Sequence, residues 1–261
     1  MYELEDECVH LIVTSPPYYN APFDYYRAYS SYETYLEQIR LFAHEAYRVL
    51  KKGRIVVLNI DDMLVDGQKY PIVADATRIF LDAGFDYRDR LVWKKPDGYV
   101  RISRRSGVLL QNPYPMYFYP DNLLESIIVF QKGKFNYRVI DSATRLSSLI
   151  DTKLFIQKKW YMTLWEITNV LPFKLNKLQK GIAAFPEEIP LRAITLYSYV
   201  GETVLDPFLG SGTTMKVAKK LGRNSVGYEI LHELQPIIMK NVGFNNTLIT
   251  EDASINIIKR N

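Results

Sequence analysis

Four consecutive residues near the start of the chain, Ser15-Pro16-Pro17-Tyr18, combine a hydroxyl group, two rigid residues and an aromatic ring. The prolines restrict the backbone, and their carbonyl oxygens accept hydrogen bonds with no proline N–H group beside them. An aromatic amino group is a poor nucleophile, because its lone pair is delocalised into the ring. We expect Ser15 Oγ and the Pro16 carbonyl to hold the N–H bonds of such an amine and to direct its lone pair toward an electrophile, while Tyr18 stacks on its ring. Taken alone, the segment is also an ordinary rigid turn.

A second segment with chemical potential runs from Asp206 to Thr214 and contains two glycines, at positions 210 and 212. Such glycines let the backbone approach a ligand closely, and a helix that follows them offers free N–H groups. A phosphate-binding P-loop would need a lysine before the hydroxyl residue, and a dinucleotide motif would need a third glycine where Met215 stands. The remaining interpretations are an adenosine cofactor without a pyrophosphate, or a tight turn without a ligand.

Two acidic residues favour the cofactor. Glu229 lies 17 residues after Gly212, where an acid can accept hydrogen bonds from both ribose hydroxyls. Asp206 suits an ammonium group better than a phosphate, which its charge would repel. Ammonium and ribose together describe S-adenosylmethionine. The expected cofactor contacts from this part of the chain are Asp206, Pro207, Phe208, Gly210, Ser211, Gly212, Thr213 and Glu229.

Alternating strands and helices are predicted around both segments. The predicted strands are 9–15, 54–60, 86–93, 125–131, 203–208, 224–230 and 247–252, and the predicted helices are 31–50, 71–81, 187–198, 212–221 and 231–240. This alternation predicts a three-layer α/β fold with a mainly parallel sheet. Ligands bind outside the carboxyl ends of strands in such sheets, and both segments follow a strand, so we expect them to face one crevice.

The charge distribution is uneven. Residues 94–180 hold 15 lysines and arginines against 6 aspartates and glutamates, a net charge of +9, whereas the rest of the chain carries −5. A basic segment within an acidic scaffold is typical of a face that binds a polyanion, although an ordinary solvated surface has the same composition. Residues 96–122 and 134–180 also lack a clear period, and we interpret both as additions to the α/β core.

Composition excludes several classes of protein. The 261 residues suffice for one large domain, or for one domain with a sizeable insertion. One cysteine and three scattered histidines predict neither a disulfide framework nor a metal site. The acidic N-terminus is unlike a signal peptide, and no apolar run reaches the roughly 18 residues of a membrane span. We therefore expect a cytoplasmic protein with no membrane partner.

The two segments together resemble the amino-methylating DNA methyltransferases of the beta class, in which the catalytic motif comes first and the cofactor motif last. The matching residues are Thr14–Tyr18, Ala184–Pro190, Asp206–Thr214 and Gly227–Glu229. The resemblance implies a circularly permuted, Rossmann-like S-adenosylmethionine-dependent methyltransferase fold. Its catalytic half would be 1–95, its target-recognition insertion 96–180 with a core strand near 125–131, and its cofactor-binding half 181–261.

The resemblance also implies a substrate. Ser-Pro-Pro-Tyr is more typical of enzymes that form N4-methylcytosine, and Asp- or Asn-Pro-Pro-Tyr of those that form N6-methyladenine. We therefore expect methylation of cytosine, with adenine as the alternative. More distant alternatives are an RNA, protein or small-molecule methyltransferase and a DNA-binding module without activity.

Two departures from the family pattern concern the cofactor. Gly181-Ile182 stands where relatives often have His-Pro, so Phe185 is the expected cofactor contact of that segment. Relatives also carry a Gly-Asp strand ahead of the catalytic motif, which this chain lacks. Either the strand ending at Asp252 replaces it and brings that carboxylate to the adenine edge, or an N-terminal segment is missing.

The implied macromolecular partner is double-stranded DNA, from which the target base must flip out to reach the site. A cognate restriction endonuclease is a further possible partner, and both a monomer and a homodimer are compatible with the sequence. The expected DNA contacts are Arg101, Arg104, Arg105, Lys132, Lys134, Arg138, Lys158 and Lys159.

Overall fold

The structure is a computed structural model that describes residues 1–20, 29–96, 107–118, 120, 122–168, 185–244 and 254–258. Its strands are β1 (Val9–Thr14), β2 (Leu50–Ile60), β3 (Met63–Val65), β4 (Gln68–Tyr70), β5 (Asp86–Lys94), β6 (Leu124–Gln131), β7 (Leu164–Glu166), β8 (Thr203–Asp206) and β9 (Asn224–Gly227). Seven of them form one sheet in the order β7-β5-β6-β2-β1-β8-β9, and β3 pairs with β4 in a separate hairpin. In the main sheet only β6 runs antiparallel to its neighbours, so the expected α/β fold with a mainly parallel sheet is confirmed.

Helices cover both faces of this sheet. They are α1 (Tyr32–Val49), α2 (Ile72–Asp82), α3 (Gly107–Gln111), α4 (Ser142–Ser147), α5 (Thr152–Gln157), α6 (Glu188–Tyr197), α7 (Thr213–Lys220) and α8 (Gln235–Val242), with short 3-10 helices at Tyr137–Val139 and His232–Leu234. Helices α1 and α2 pack on one face, and α6 and α7 pack on the other. Within the described residues, no helix is long and apolar enough to cross a membrane.

Strand β2 illustrates why the core strands are almost continuously apolar. Val56, Leu58 and Ile60 point into the cluster beneath α1 and α2, whereas Ile55 and Val57 point into the cluster beneath α6 and α7. Because side chains alternate between the two faces and both faces are covered by helices, a central strand of this fold is apolar on both sides.

The chain order places β1 at the point where the connections diverge. From β1 the chain passes through α1 to β2, and from β8 it passes through α7 to β9 on the opposite side of β1. In an open sheet, a crevice forms at the carboxyl ends of two adjacent strands whose connections leave in opposite directions. The ends of β1 and β8 therefore flank the expected binding crevice.

The structure differs from the sequence-based prediction in the segment assigned to the insertion. Strand β7 lies within it, yet β7 joins the main sheet beside β5, and the indole Nε1 of Trp93 donates a hydrogen bond of 2.9 Å to the Ile167 carbonyl. A strand of three residues is too short to show a period in the sequence, which explains why it was not predicted.

The other differences are a shifted boundary and short elements that were not predicted, among them α3, α4 and α5. Strand β2 begins at Leu50 rather than at residue 54, because Leu50 already pairs with Val9 of β1. The β3–β4 hairpin was not predicted, since each of its strands has three residues. The predicted strand 247–252 lies outside the described residues.

Candidate active site

The Ser15–Tyr18 turn leaves the carboxyl end of β1, in the middle of the sheet. Strand β1 is buried along most of its length and pairs with β2 on one side and β8 on the other. Its last residue, Thr14, donates a hydrogen bond of 2.6 Å from Oγ1 to Oδ1 of Asp206, the last residue of β8. The turn that carries Ser15 and the turn that follows Asp206 therefore begin side by side.

Asp206 is buried, with 2% of its surface exposed. Besides the Thr14 hydroxyl, its carboxylate accepts hydrogen bonds from Thr214 Oγ1 at 2.6 Å and from the Phe208 N–H at 3.2 Å. Burial raises the pKa of Asp206 to about 6, although the two threonine hydroxyls act against that shift. A cation placed beside this carboxylate would favour its charged form, so the local chemistry fits an ammonium group.

The glycine-containing turn after Asp206 adopts the backbone conformation that the sequence implies. Gly212 has a φ of 83°, in the left-handed region that favours glycine, and a Cβ atom there would lie 3.2 Å from Ile238 Cγ2. Gly212 is also the residue that precedes α7, and among the described residues no side chain caps that helix. The N–H groups of the first turn of α7 therefore need other partners, and a ligand in the crevice can supply them.

Glu229 lies two residues beyond the end of β9, next to this turn. Its Oε2 accepts the Gly210 N–H at 2.9 Å, and its Oε1 accepts the Leu231 N–H at 2.8 Å. Each carboxylate oxygen has a second lone pair, so both remain able to accept a hydroxyl hydrogen. An acid fixed by two backbone groups beside a glycine turn fits the two hydroxyls of a ribose.

Two aromatic residues expected near the cofactor are only partly buried. The Phe208 ring packs edge-on against Phe42 of α1, with 5.2 Å between the ring centroids. Phe185 packs against the cluster beneath α6 and α7. These two rings therefore lie on different layers of the fold. Asp252, a further expected cofactor contact, is not among the described residues.

Tyr18 is oriented differently from a residue that only stacks on a base. Its hydroxyl points inward and donates a hydrogen bond of 2.9 Å to Oε2 of Glu125, at the start of β6. Burial, followed by the negative charge of Glu125, raises the pKa of Tyr18 well above its ordinary value. The phenol is therefore a neutral donor anchored to Glu125.

Three polar residues that sequence reasoning missed surround the Ser15–Tyr18 turn. Asn59, near the end of β2, donates from Nδ2 to Glu125 Oε2 at 2.9 Å and lies 3.4 Å from Ser15 Oγ. Lys95, just after β5, forms an ion pair of 2.7 Å with Glu125 Oε1. Asn59 follows the apolar run Ile55–Leu58 near the end of β2, which was a usable signal. The strand order that brings the three residues together was not readable from the sequence.

The structure describes five of the eight expected DNA contacts. Lys134, Arg138, Lys158 and Lys159 are exposed, and Arg101, Arg104 and Arg105 lie outside the described residues. Lys134 follows the carboxyl end of β6, which pairs with the beginning of β2 because the two strands are antiparallel. Its backbone lies against Gly53, at the edge of the sheet opposite Ser15.

The structure buries Lys132, which contradicts the expectation that this residue binds DNA. Its ammonium group is buried against the end of α1, where it donates hydrogen bonds to the carbonyl oxygens of Tyr47 at 2.7 Å and Leu50 at 2.8 Å. It also forms an ion pair of 2.9 Å with Glu7. A lysine with 9% of its surface exposed and these three oxygen partners stabilises the junction between α1 and β2.

Comparisons with known proteins agree with this geometry. The family model described as DNA methylase, of the N6/N4 methyltransferase type, matches residues 9–240. Type II methyltransferase M.MjaI of Methanocaldococcus jannaschii is 33% identical, over all of this chain and 93% of its own length. Type II methyltransferase M.MthZI of Methanothermobacter thermautotrophicus is 30% identical, over 95% of this chain and 74% of its own length.

Solved structures share the fold. TTHA0409 of Thermus thermophilus, in complex with S-adenosyl-L-methionine, superposes with a TM-score of 0.73 at 25% identity and covers 93% of this chain and 88% of its own. The cytosine-N4-specific PvuII DNA methyltransferase superposes with a TM-score of 0.66 at 17% identity, over 95% of this chain and 83% of its own. With the family model matching most of the chain, these findings show that the chain belongs to the N6/N4 family of DNA methylases, which are S-adenosylmethionine-dependent amino-methyltransferases of the beta class.

Proposed function

We propose that this chain transfers a methyl group from S-adenosylmethionine to the N4 amino group of cytosine, at a specific sequence in duplex DNA. The observation that carries the proposal is the position of Ser15, the first residue of the Ser15–Tyr18 turn. This turn follows β1, whose last residue, Thr14, is hydrogen-bonded to Asp206. The hydroxyl group of Ser15 and the carboxylate of Asp206 thus lie at the ends of adjacent strands, where an amine and a methyl donor can meet.

The chemistry asks two things of the Ser15–Tyr18 turn. It must accept the N–H bonds of the amine away from the plane of the ring, so that the nitrogen becomes tetrahedral and its lone pair is free for in-line attack. Ser15 Oγ and the Pro16 carbonyl are suited to this, because the prolines hold the backbone rigidly. Most of the rate enhancement would then come from positioning and electrostatics, and no covalent enzyme intermediate is required.

The residues around the crevice fit S-adenosylmethionine, which supplies an electrophilic methyl group when bound. Glu229 would hold the ribose hydroxyls, and Asp206 would face the ammonium group of the methionine portion. Gly212 allows the backbone to approach the ligand closely, and Phe185 is a further proposed contact. The raised pKa of Asp206 supports this placement, since a nearby cation would restore its charged form.

A cytosine inside a duplex cannot reach this crevice, so the base must flip out of the helix. One proposed wall of its pocket is Tyr18, whose ring is held by the bond between its hydroxyl and Glu125. The relatives M.MjaI and M.MthZI are type II methyltransferases, which supports a role in a restriction-modification system. The partner would be an endonuclease that cuts the same sequence when it is unmethylated.

Incubation of the purified protein with labelled S-adenosylmethionine and unmethylated plasmid DNA tests this proposal. After digestion to nucleosides, mass spectrometry should find N4-methyldeoxycytidine, and sequencing of the methylated plasmid should give one recognition sequence. Detection of N6-methyldeoxyadenosine would instead identify adenine as the substrate. Label in added RNA or protein but not in DNA would reject the proposal. The Ser15→Ala variant serves as the control for a contaminating methyltransferase.

A further inference from the structure

Glu125 lies directly behind the Ser15–Tyr18 turn, and the proposed function gives it only the anchoring of a tyrosine. Because β6 is antiparallel to β2, its amino end lies at the edge of the sheet where the parallel strands end. Side-chain exposures are 12% for Glu125 and 15% for Lys95, so their ion pair is held largely out of water next to the site.

Asn59 connects this ion pair to both hydroxyl groups of the turn. Its single Nδ2 group lies 2.9 Å from Glu125 Oε2, 3.3 Å from Tyr18 Oη and 3.4 Å from Ser15 Oγ. The carboxylate and the two hydroxyl oxygens therefore surround one amide nitrogen. The Ser15 hydroxyl is also close enough to the phenol to influence the pKa of Tyr18. The cluster therefore gathers the Ser15 hydroxyl, the Tyr18 hydroxyl and the Glu125 carboxylate around one point beside the site.

We propose that Glu125 is the final acceptor of the proton that the exocyclic amine loses, with Ser15 and Tyr18 as relays; this inference rests on the proposed methyl transfer. The lone pair of the nitrogen forms the new bond to the methyl carbon, while the sulfur–carbon bond breaks and leaves its electron pair on sulfur. The nitrogen, now positively charged, keeps the electron pair of one N–H bond and releases the proton to Ser15 Oγ. Ser15 passes its own proton to Tyr18 Oη, and Tyr18 passes its own proton to Glu125 Oε2.

The geometry favours Glu125 over the other carboxylates near the crevice. Asp206 accepts its hydrogen bonds from Thr14, Thr214 and the Phe208 N–H, and Asp61, at the end of β2, accepts one from Asn122. Among the hydrogen bonds of the described residues, it is Glu125 that joins a carboxylate to a side chain of the Ser15–Tyr18 turn.

The proton affinities of the groups are also suitable. A methylated aromatic amine that carries a positive charge is a strong acid, because loss of the proton lets the nitrogen lone pair delocalise into the ring again. A carboxylate is therefore a sufficient base. Tyr18 keeps its proton between turnovers, since burial raises its pKa well above the ordinary value. Tyr18 thus passes a proton on and does not remain ionised as a phenolate.

The test compares Glu125→Gln, Tyr18→Phe and the double variant with wild type, using single-turnover methylation of unmethylated plasmid DNA at saturating S-adenosylmethionine. General acid–base contributions are typically about 10²–10⁴-fold, so we expect each single variant to lose roughly 10²-fold in rate. Because both act on one proton path, the double variant should lose little more than either single variant. The matched control is Glu166→Gln, which changes an exposed glutamate on β7 and should leave the rate unchanged.

Two further measurements separate a proton path from a structural role. The affinity for S-adenosylmethionine and the melting temperature should stay close to wild type in Tyr18→Phe, which leaves the Glu125–Lys95 pair intact. The wild-type rate should fall in heavy water, and Tyr18→Phe should lose most of that isotope effect. This variant also decides the question if Glu125→Gln fails to fold.

The inference is overturned if Tyr18→Phe or folded Glu125→Gln methylates DNA at the wild-type rate. It is equally overturned if the losses of the two single variants multiply in the double variant, because the residues would then act independently. Failure of the wild-type protein itself to methylate DNA would instead reject the proposed function.

Discussion

The hydroxyl group of Thr14 donates a hydrogen bond of 2.6 Å to Oδ1 of Asp206, joining two residues that are 192 positions apart in the chain. The bond ties the last residue of β1 to the last residue of β8. The turn proposed to hold the amine and the turn proposed to hold the methyl donor therefore share one fixed point. Any movement of β1 relative to β8 would change the distance between the two reacting groups.

The raised pKa of Asp206 predicts a pH dependence of cofactor binding. The carboxyl group titrates near pH 6 in the unliganded protein, and the ammonium group of the cofactor prefers its charged form. The affinity for S-adenosylmethionine should therefore increase as the pH rises through 6. In Asp206→Asn we expect a loss of about 1.5–3 kcal/mol, the usual contribution of a hydrogen bond to a charged group, and no increase with pH. Equilibrium titration at several pH values measures both effects.

The same group predicts how stability depends on pH. Its folded-state pKa lies above the ordinary value of 3.8, so its contribution to stability is fully present below about pH 4 and is lost as the pH rises through about 6. Asp61 titrates in the same range, since burial raises its pKa to about 6. Asp61→Asn is therefore the matched control. It should alter the stability profile but keep the pH dependence of cofactor binding, and loss of that dependence would contradict the role given to Asp206.

Ser15→Ala should lower the rate of methyl transfer without weakening cofactor binding. Removal of one hydrogen-bonding group that stabilises a transition state typically costs about 10²–10³-fold in rate. Single-turnover kinetics measure the transfer, and a separate titration measures the affinity for S-adenosylmethionine. Ser147→Ala, on the exposed surface of α4, serves as control. Wild-type transfer by Ser15→Ala would contradict both the role of the Ser15 hydroxyl in holding the amine and its role as a proton relay.

Arg54 and Glu202 form a buried, bidentate ion pair at the opposite edge of the sheet from Ser15. Exposed fractions of 6% and 8% mean that neither charge can be hydrated if its partner is removed. Glu202→Gln should lower the free energy of unfolding by about 3–5 kcal/mol. Urea unfolding measures this loss, while the transfer rate per folded molecule should be unchanged. Replacing both residues by apolar ones should cost less than Glu202→Gln alone.

The exposed lysines after α5 are expected to contact DNA phosphates. Replacing Lys158 and Lys159 by alanine should weaken binding uniformly across sequences and reduce the slope of log affinity against log salt by about 2. Fluorescence anisotropy over a range of salt concentrations provides this slope. The control variant removes Lys134 and Arg138, which follow the end of β6 at the edge remote from Ser15. Equal changes in both variants would indicate a nonspecific effect of charge.

Lys132 separates stability from DNA binding. Its ammonium group holds two carbonyl oxygens and a carboxylate, so Lys132→Ala should lower the free energy of unfolding by at least about 1.5–3 kcal/mol. The salt dependence of DNA binding by the folded variant should equal that of wild type. A reduced slope would instead show that Lys132 contacts DNA.

The sequence predicted the strands and turns that bear the site more completely than it predicted the contacts between them. Strands β1 and β8, and the glycine turn at Gly212, were predictable because each depends on the properties of a short continuous segment: an apolar run, a proline pair, or a position that needs a positive φ. The burial of Lys132 was not predictable, since a lysine in a basic segment has the same local sequence whether it faces solvent or the end of a helix.

By itself, the sequence determined which chemical groups follow β1 and β8, because residue types and local backbone restrictions are properties of the chain. Only the tertiary structure decided what stands behind Tyr18. Glu125 reaches that position because β6 runs antiparallel between β2 and β5, which brings its amino end to the edge where the other strands end. The order and direction of strands result from packing the whole sheet between its helices, and no segment near Tyr18 encodes them.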